Sequence, residues 1–353
     1  MKKIGILVFC LIFAGLLLPA QVLYAAQSQI VTRTVFDAED FKHIDANLPA
    51  SLLHVRIHQE DHVLVTFEVI REFERGNRPQ FEFDNATGTL YITQEPYANT
   101  SFGSSMNISS DGNITNWIMN IRTQDNFSRN NRQIIANGQI VDLPALRAIE
   151  DVTLIDTGLV TVYVPEGFVL DVLNFESGNN RMAVFGENSI TIREVSANVA
   201  NGSISINGAY LHDIDLTVSN GSLSLINSAA DGNISMRSSN GSVSISNSRI
   251  TAAPHLQVSN GIISLRDSVF TADFTTQASN GSLTWNNVTA ERNATARVTN
   301  GSMSISNSRI NGQFSASASS GTINMRSIDT DMDRADISAG RHGRVFLDGR
   351  RID

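Results

Sequence analysis

Three histidines, His54, His58 and His62, stand four residues apart, with Glu60 and Asp61 between the last two. On a helix that spacing would line one metal-binding face. The neighbours Leu53, Val55 and Ile57 alternate instead, which is strand periodicity. His54 and His58 then lie about 13 Å apart, too far to share an ion. Only His58 and His62 can approach, across the Glu60-Asp61 turn. The expectation is a polar strand face and a turn, with no metal site and no cofactor.

The second chemistry to weigh is that of clustered carboxylates, which polysaccharide lyases and hydrolases need on one face. Residues 201–325 hold Asp213, Asp215, Asp231, Asp267, Asp273 and Glu291, scattered along the segment. Asp213 and Asp215 can share a strand face, and Asp267 falls in a polar column. No acid–base constellation follows, so no catalytic residue is assigned, and a polysaccharide-active β-helix enzyme is a distant alternative. The one cysteine, Cys10, lies in a segment expected to be removed. Disulfides, thiolate catalysis and cysteine-ligated metals are therefore not expected.

The elements that must carry these residues announce themselves by repetition. Asn-Gly recurs at Asn201, Asn220, Asn240, Asn260, Asn280 and Asn300, followed by Ser320-Gly321. After the first step of 19 residues, every step is 20. Most pairs lead into Ser-apolar-Ser/Thr-apolar, as in Ser203-Ile204-Ser205-Ile206 and Ser282-Leu283-Thr284-Trp285. Alternation returns before the next Asn-Gly, as at Ile214, Leu216 and Val218, and another apolar column holds Leu211, Ala230, Ile250, Phe270, Ala290 and Ile310. Each unit thus supplies two short strands and two corners. Such a unit is too small to bury its own apolar residues, whereas stacking lets each column pack on its copy. The fold class is all-β: a β-solenoid with coils of about 20 residues, preceded by an irregular β-rich N-terminal region. A sandwich of Asn-Gly hairpins would have no reason to hold so regular a period.

The asparagines of the corner ladder, Asn201 to Asn300, have a structural role. Asn and Gly tolerate left-handed backbone, and stacked amides can bond along the axis. A second polar column, Asn227, Asn247, Asp267, Asn287 and Asn307, marks the opposite corner. One outer face is a serine array (Ser203/Ser205 through Ser302/Ser304). It resembles the hydroxyl ladders of ice-binding solenoids, although those favour threonine, and a solvated face accounts for it. The other face is more varied and presents Arg237, His255, Gln257, Gln277 and Arg297, the residues expected to bind a glycan or protein ligand. Trp285 and Phe274 are expected inward, leaving few aromatics to stack on sugars.

Residues 1–26 read as a signal peptide: Lys2-Lys3, an apolar Ile4–Leu18, and small residues at Ala25-Ala26. Its cleavage leaves no segment long and apolar enough to span a membrane and makes the product soluble and exported, at the cell surface, in the periplasm or secreted. Residues 27–97 form the N-terminal β-rich region, with strands at Ile30–Phe36, Leu52–His58, Val63–Ile70, Gln80–Phe83 and Leu90–Thr93. Residues 98–150 read as a Ser/Asn-rich loop or insertion, 151–327 as the solenoid, and 328–353 as a C-terminal cap. The chain carries 26 Lys+Arg against 35 Asp+Glu. Residues 27–200 hold 12 basic and 23 acidic groups, while the repeats are neutral. That balance argues against nucleic-acid binding.

In three stretches the chain resembles the bacterial adhesin-like family known as domain of unknown function 4097. They are Phe36–Leu48 leading into Leu52–Val69 and Leu90-Tyr91-Ile92, the strand Val160–Pro165 with Glu166-Gly167, and the Asn-Gly-Ser-Ile-Ser-Ile units. The resemblance covers most of residues 35–325; the 98–150 region is longer than the family pattern. It implies an extracytoplasmic β-solenoid for which adhesion is the proposed role, a second role in envelope stress, and no catalytic residues to transfer. The expected function is therefore a non-enzymatic, exported β-solenoid for adhesion or cell-envelope contact, its partner a cell-surface, glycan or envelope protein. The alternative is a periplasmic or envelope-stress module that binds a membrane protein.

Overall fold

The computed structural model describes residues 29–49, 51–69, 78–95, 158–341 and 343–352, together with four short strands between 106 and 141. The expected signal peptide lies outside the described residues.

The N-terminal part contains β1 (Gln29–Asp37), β2 (His43–Asn47), β3 (Ser51–His58), β4 (His62–Val69), β5 (Gln80–Asp84) and β6 (Thr89–Thr93). The expected strands are all present, and β2 is additional. Within the segment read as a loop, β7 (Met106–Ile108) pairs with β8 (Ile114–Trp117), and β9 (Ile134–Ala136) with β10 (Gln139–Val141). Next come β11 (Gly158–Pro165), β12 (Val169–Ser177) and β13 (Arg181–Ile226).

Two stacks of strands converge on β13. In one, β11 lies between β3 and β4, parallel to β3 and antiparallel to β4, while β3 pairs with Met182–Phe185. In the other, β5, β6, β2 and β12 lead in order to Thr191–Val199. The N-terminal strands are therefore the first rungs of two solenoid faces. Strands from before residue 98 pair directly with strands from after residue 157, so the N-terminal region and the solenoid share their sheets.

Beyond β13 the coils follow in register: β14 (Ala229–Ala230), β15 (Ile234–Ser246), β16 (Arg249–Ile250), β17 (Pro254–Phe270) and β18 (Phe274–Ala290). Then come β19 (Ala294–Ser306), β20 (Arg309–Ile310), β21 (Phe314–Arg326) and β22 (Asp329–Thr330). Neighbours are parallel with a 20-residue offset, as in Ser222↔Ser242 and Leu283↔Met303. Each coil has three sides rather than two. The strands on either side of Asn-Gly run on through the bend, and a two-residue strand such as Arg249–Ile250 makes the third side.

The core is a set of axial columns. Leu223, Val243, Ile263, Leu283, Met303 and Ile323 are all fully buried, so apolar contact continues from coil to coil. Bulk is balanced between neighbours. Phe270 stacks on Phe274 at 4.3 Å, Phe274 meets Trp285 at 5.0 Å, and Trp285 meets Phe314 at 6.2 Å. Ala290 follows Phe270 in its column, and Ala294 separates Phe274 from Phe314. The small residues leave the room that the rings fill. At the end, β23 (Asp336–Ala339) and β24 (Arg344–Leu347) pair with β21, and β25 (Arg350–Arg351) folds back on β24. Val345 is buried there, so this segment covers the last coil.

Candidate functional site

Each coil turns at three corners, and each corner carries its own axial ladder, continuous at the first and interrupted at Val288 in the second and Ala253 in the third. At the first, the Asn220 side-chain amide donates to Asn201 Oδ1 at 2.8 Å, and Asn240 to Asn220 at 2.9 Å. Asn260, Asn280 and Asn300 continue the ladder at 2.9, 3.0 and 2.9 Å, and Asn201 starts it on Asn179. Of the Asn and Gly expected to carry positive φ at this corner, the glycines do. Their φ lies between 143° and 153° from Gly202 to Gly321. A Cβ built on Gly261 would sit 1.8 Å from the Gly241 carbonyl oxygen. Backbone lies directly on backbone here, and no side chain fits between.

The second corner carries the left-handed residues: Asn227, Asn247, Asp267, Asn287 and Asn307, with φ of 49° to 55°. One residue later stands a ladder that the sequence reading missed. The Ser228 N–H donates to Ser248 Oγ, and the Ser248 N–H to Ser268 Oγ, both at 3.2 Å. Val288 does the same to Ser308. These serines are buried, and their hydroxyls satisfy backbone donors that the bend would otherwise strand in the core. The repeated Asn-Ser or Asp-Ser step at 227, 247, 267 and 307 was the available signal.

The third corner is closed by carboxylates and amides. Asn233 N–H donates to Asp213 Oδ1 at 2.7 Å, Asn293 N–H to Asp273 Oδ1 at 3.1 Å, and Gln313 N–H to Asn293 Oδ1 at 2.8 Å. The candidate acids are thereby separated. Asp213 is a corner acceptor, whereas Asp215 pairs with Arg237 at 3.3 Å. Asp267 accepts from Asn287 at 2.7 Å, and Glu291 faces Arg249 at 3.7 Å. Asp231 bonds His212 Nδ1 at 2.8 Å. That hydrogen bond first, and the nearby Asp213 charge second, raise the His212 pKa above its ordinary value. All six repeat carboxylates are thus engaged, each with a neighbouring coil or a specific cation.

The histidine trio divides, and the polar strand face expected of it is corrected at His54, because β3 is buried on both faces over Ser51–Val55. His58 Nε2 lies 2.6 Å from the His62 carbonyl oxygen, and their rings meet edge to face at 5.3 Å. His54 is buried with its ring against Phe185 at 5.4 Å. Among the described residues no group of three or more His, Cys, Asp or Glu is arranged to hold a metal ion.

The residues expected to bind do come together. Arg237, Gln257, Gln277 and Arg297 occupy successive rungs of one outward row. His255 stands two residues before Gln257, on the same face, in a row with Ser235, Thr275 and Thr295. Arg237 is tied to Asp215, but the side chains of His255, Gln257, Gln277 and Arg297 make no hydrogen bond or ion pair among the described residues. Beside them a shallow groove of about 520 Å³ is lined by His255, Asp273, Thr275, Asn293, Thr295 and Gln313. Its floor reaches Phe274. The serine face is simpler: Ser224 Oγ donates to Ser205 Oγ at 3.0 Å, so part of its capacity is spent within the face.

At the C-terminus, Arg334 pairs with Asp331 at 3.2 Å, Arg309 with Asp329 at 2.8 Å, and Arg350 lies in the closing hairpin. Among the described residues no helix is long and apolar enough to cross a membrane.

Neither the curated proteins nor the solved structures contain a match to this chain. The family model described as Toastrack DUF4097 matches residues 49–340, from the buried strand β3 to the edge of the C-terminal cap, and the chain belongs to that family.

Proposed function

We propose that the protein is an exported, non-enzymatic β-solenoid whose lateral face makes contacts in adhesion or at the cell envelope. One observation carries this reading: the repeat carboxylates are consumed between coils, whereas His255, Gln257, Gln277 and Arg297 project side by side with free donors. A row of amide and guanidinium groups about 4.8 Å apart, with the His255 imidazole in the adjoining row, suits a partner rich in hydroxyl or carbonyl groups, a glycan or an extended polypeptide. The adjacent groove, with its threonine, amide and carboxylate lining, extends the same chemistry. Export rests on the signal-like Met1–Ala26.

Two measurements test the proposal. Trypsin added to intact cells should cut the native protein, with lysed cells as control. Arginines at 122, 129 and 132 supply sites in the insertion, and Lys42 is the only lysine left after signal cleavage. Cutting only after lysis would refute surface adhesion and turn the search to a membrane protein partner inside the envelope. A glycan and matrix-protein array would then compare the wild type with a Gln257→Ala, Gln277→Ala, Arg297→Ala variant. These positions are outward, so the variant should fold normally and lose binding. Retained binding would remove this face from the proposal.

A further inference from the structure

Asn-Gly is the sequence most prone to spontaneous deamidation, because the glycine nitrogen is unhindered and reaches the asparagine side-chain carbonyl carbon. The described residues contain eight such pairs: those of the first-corner ladder, Asn207-Gly208, and Asn311-Gly312. Their environments differ sharply. From Asn201 to Asn280, each ladder amide donates to one neighbour and accepts from the next. Asn207 accepts from Asn227 at 3.0 Å. Asn300 donates to Asn280 but has no donor above it, since Ser320 takes the next position. Asn311 is exposed, and only its backbone N–H is engaged, with the Ala290 carbonyl at 2.9 Å. Neither its side-chain amide nor the Gly312 N–H has a partner among the described residues.

We infer that, among the described Asn-Gly pairs, Asn311-Gly312 is the one that deamidates fastest in the folded protein, and that the ladder shields the first-corner pairs. The Gly312 nitrogen loses its proton and attacks the Asn311 side-chain carbonyl carbon. A carbon–nitrogen bond forms, ammonia leaves, and a cyclic imide remains. Water then opens either imide carbonyl, giving aspartate or the isoaspartate that lengthens the main chain. In the ladder the same attack requires the side chain to rotate out of two amide–amide bonds. At ordinary strength these slow the reaction by about tenfold or more.

The position of the new charge matters. Ala290, Ile310 and Thr330 are successive rungs, so residue 311 lies between Glu291 and Asp331. Deamidation therefore adds a third carboxylate between Glu291 and Asp331, on backbone rungs spaced about 4.8 Å apart, although Glu291 and Asp331 face Arg249 and Arg334. Like charges at that spacing repel, and they adjoin the cap that closes the rod.

The experiment is to age the purified protein in mildly alkaline buffer, folded and in urea, and to quantify conversion at each asparagine by peptide mass spectrometry. Among these eight pairs in the folded protein Asn311 should convert first, Asn300 next, and Asn220 to Asn280 at least about tenfold more slowly than Asn311; urea should erase the ranking. Equal rates across the folded protein, or ladder pairs as fast folded as unfolded, would overturn the inference. An Asn311→Asp variant should be cut faster by trypsin after Arg326 and Arg334 than an Asn311→Gln control. Equal cutting would refute the effect on the cap.

Discussion

Gly261→Ala tests the first corner most directly. The alanine Cβ would lie 1.8 Å from the Gly241 carbonyl oxygen and 2.8 Å from its carbon. A relaxed carbon–oxygen approach is about 3.3 Å, so the coils must separate locally by about 1.5 Å. Backbone cannot swing aside as a side-chain end would. That movement breaks the ladder bonds on either side of Asn260, now 2.9 and 3.0 Å, each worth about 1 kcal/mol. At least one inter-coil backbone bond goes with them, at about 1 kcal/mol. The φ of 146° adds a further cost of roughly 1–3 kcal/mol for a residue with a side chain. The sum, about 4–6 kcal/mol, is a large share of a typical domain stability of about 5–15 kcal/mol. Thermal unfolding by circular dichroism should show a fall of roughly 10–20 °C. Because solenoids unfold in parts, limited trypsin digestion should also show faster cutting after Arg249 and Arg266. Gly178→Ala is the control: nothing lies within 4 Å of its Cβ position, and its cost should stay within about 0.5 kcal/mol. If the two variants melt alike, the corner does not stack as described.

The other perturbations are graded by the same logic. Asn260→Ala removes two solvent-exposed ladder bonds without a clash, so urea denaturation should show a loss of about 1–2 kcal/mol, well below Gly261→Ala. Trp285→Ala should cost about 3–5 kcal/mol by emptying the space between Phe274 and Phe314. Trp285→Phe should cost clearly less, since it keeps a ring there and removes an indole N–H that has no partner. The His212 pKa is raised in the folded state above its ordinary 6.5. Its contribution to stability is therefore complete below that value and is lost as pH rises through the folded pKa. The effect is small and salt-sensitive at this exposed site; an imidazole NMR titration should show the raised pKa, and Asp231→Asn should lower it.

The features legible in the sequence were those that repeat over many residues. Alternation around each Asn-Gly gave both long strands and the inward positions of Trp285 and Phe274, because one buried face imposes period two on any strand. The third side was hidden: Arg249–Ile250 is only two residues long, too short to show a period, although its apolar column was visible. Strand β2 escaped for a similar reason, with only Ile44 and Ala46 marking its buried face. The buried serine ladder was missed because serine reads as surface when burial is judged by polarity alone, yet a bend in a core needs hydroxyl acceptors for its backbone. Asp213 and Asp273 looked like chemistry for the opposite reason. A carboxylate and an asparagine cap a stacked corner equally well, so the repeat tolerates either. The row proposed to bind was legible as an outward face; what the sequence lacked was which of its donors are already spent, as Arg237 is on Asp215.

The three ladders explain why the 20-residue step is held so strictly. Each corner bonds to its copy at a fixed offset, with gaps only where Val288 interrupts the second ladder and Ala253 the third, and inward columns depend on all three corners together. A length change that preserves the offset should be tolerated, and one that shifts it should not. Deleting residues 240–259 joins Ser239 to Asn260 and brings Asn220 beneath Asn260. Leu223 then meets Ile263, Leu225 meets Leu265, and Ala230 meets Phe270, all apolar pairs in place of those seen now. Such a variant should fold, with the strand-rich circular dichroism of the parent and a stability reduced by one unit and one interface. Deleting Val243 alone removes a single side chain but moves Ser244 inward and Ile245 outward on its coil, because a one-residue slip reverses every side chain. It also pulls Asn240 and Asn247 out of alignment with their ladders at one corner or the other. The single deletion should therefore be the more damaging of the two, lowering the melting temperature further than removal of a whole coil. The opposite order would mean that corner bonding does not set the period, and that the apolar columns alone carry the fold.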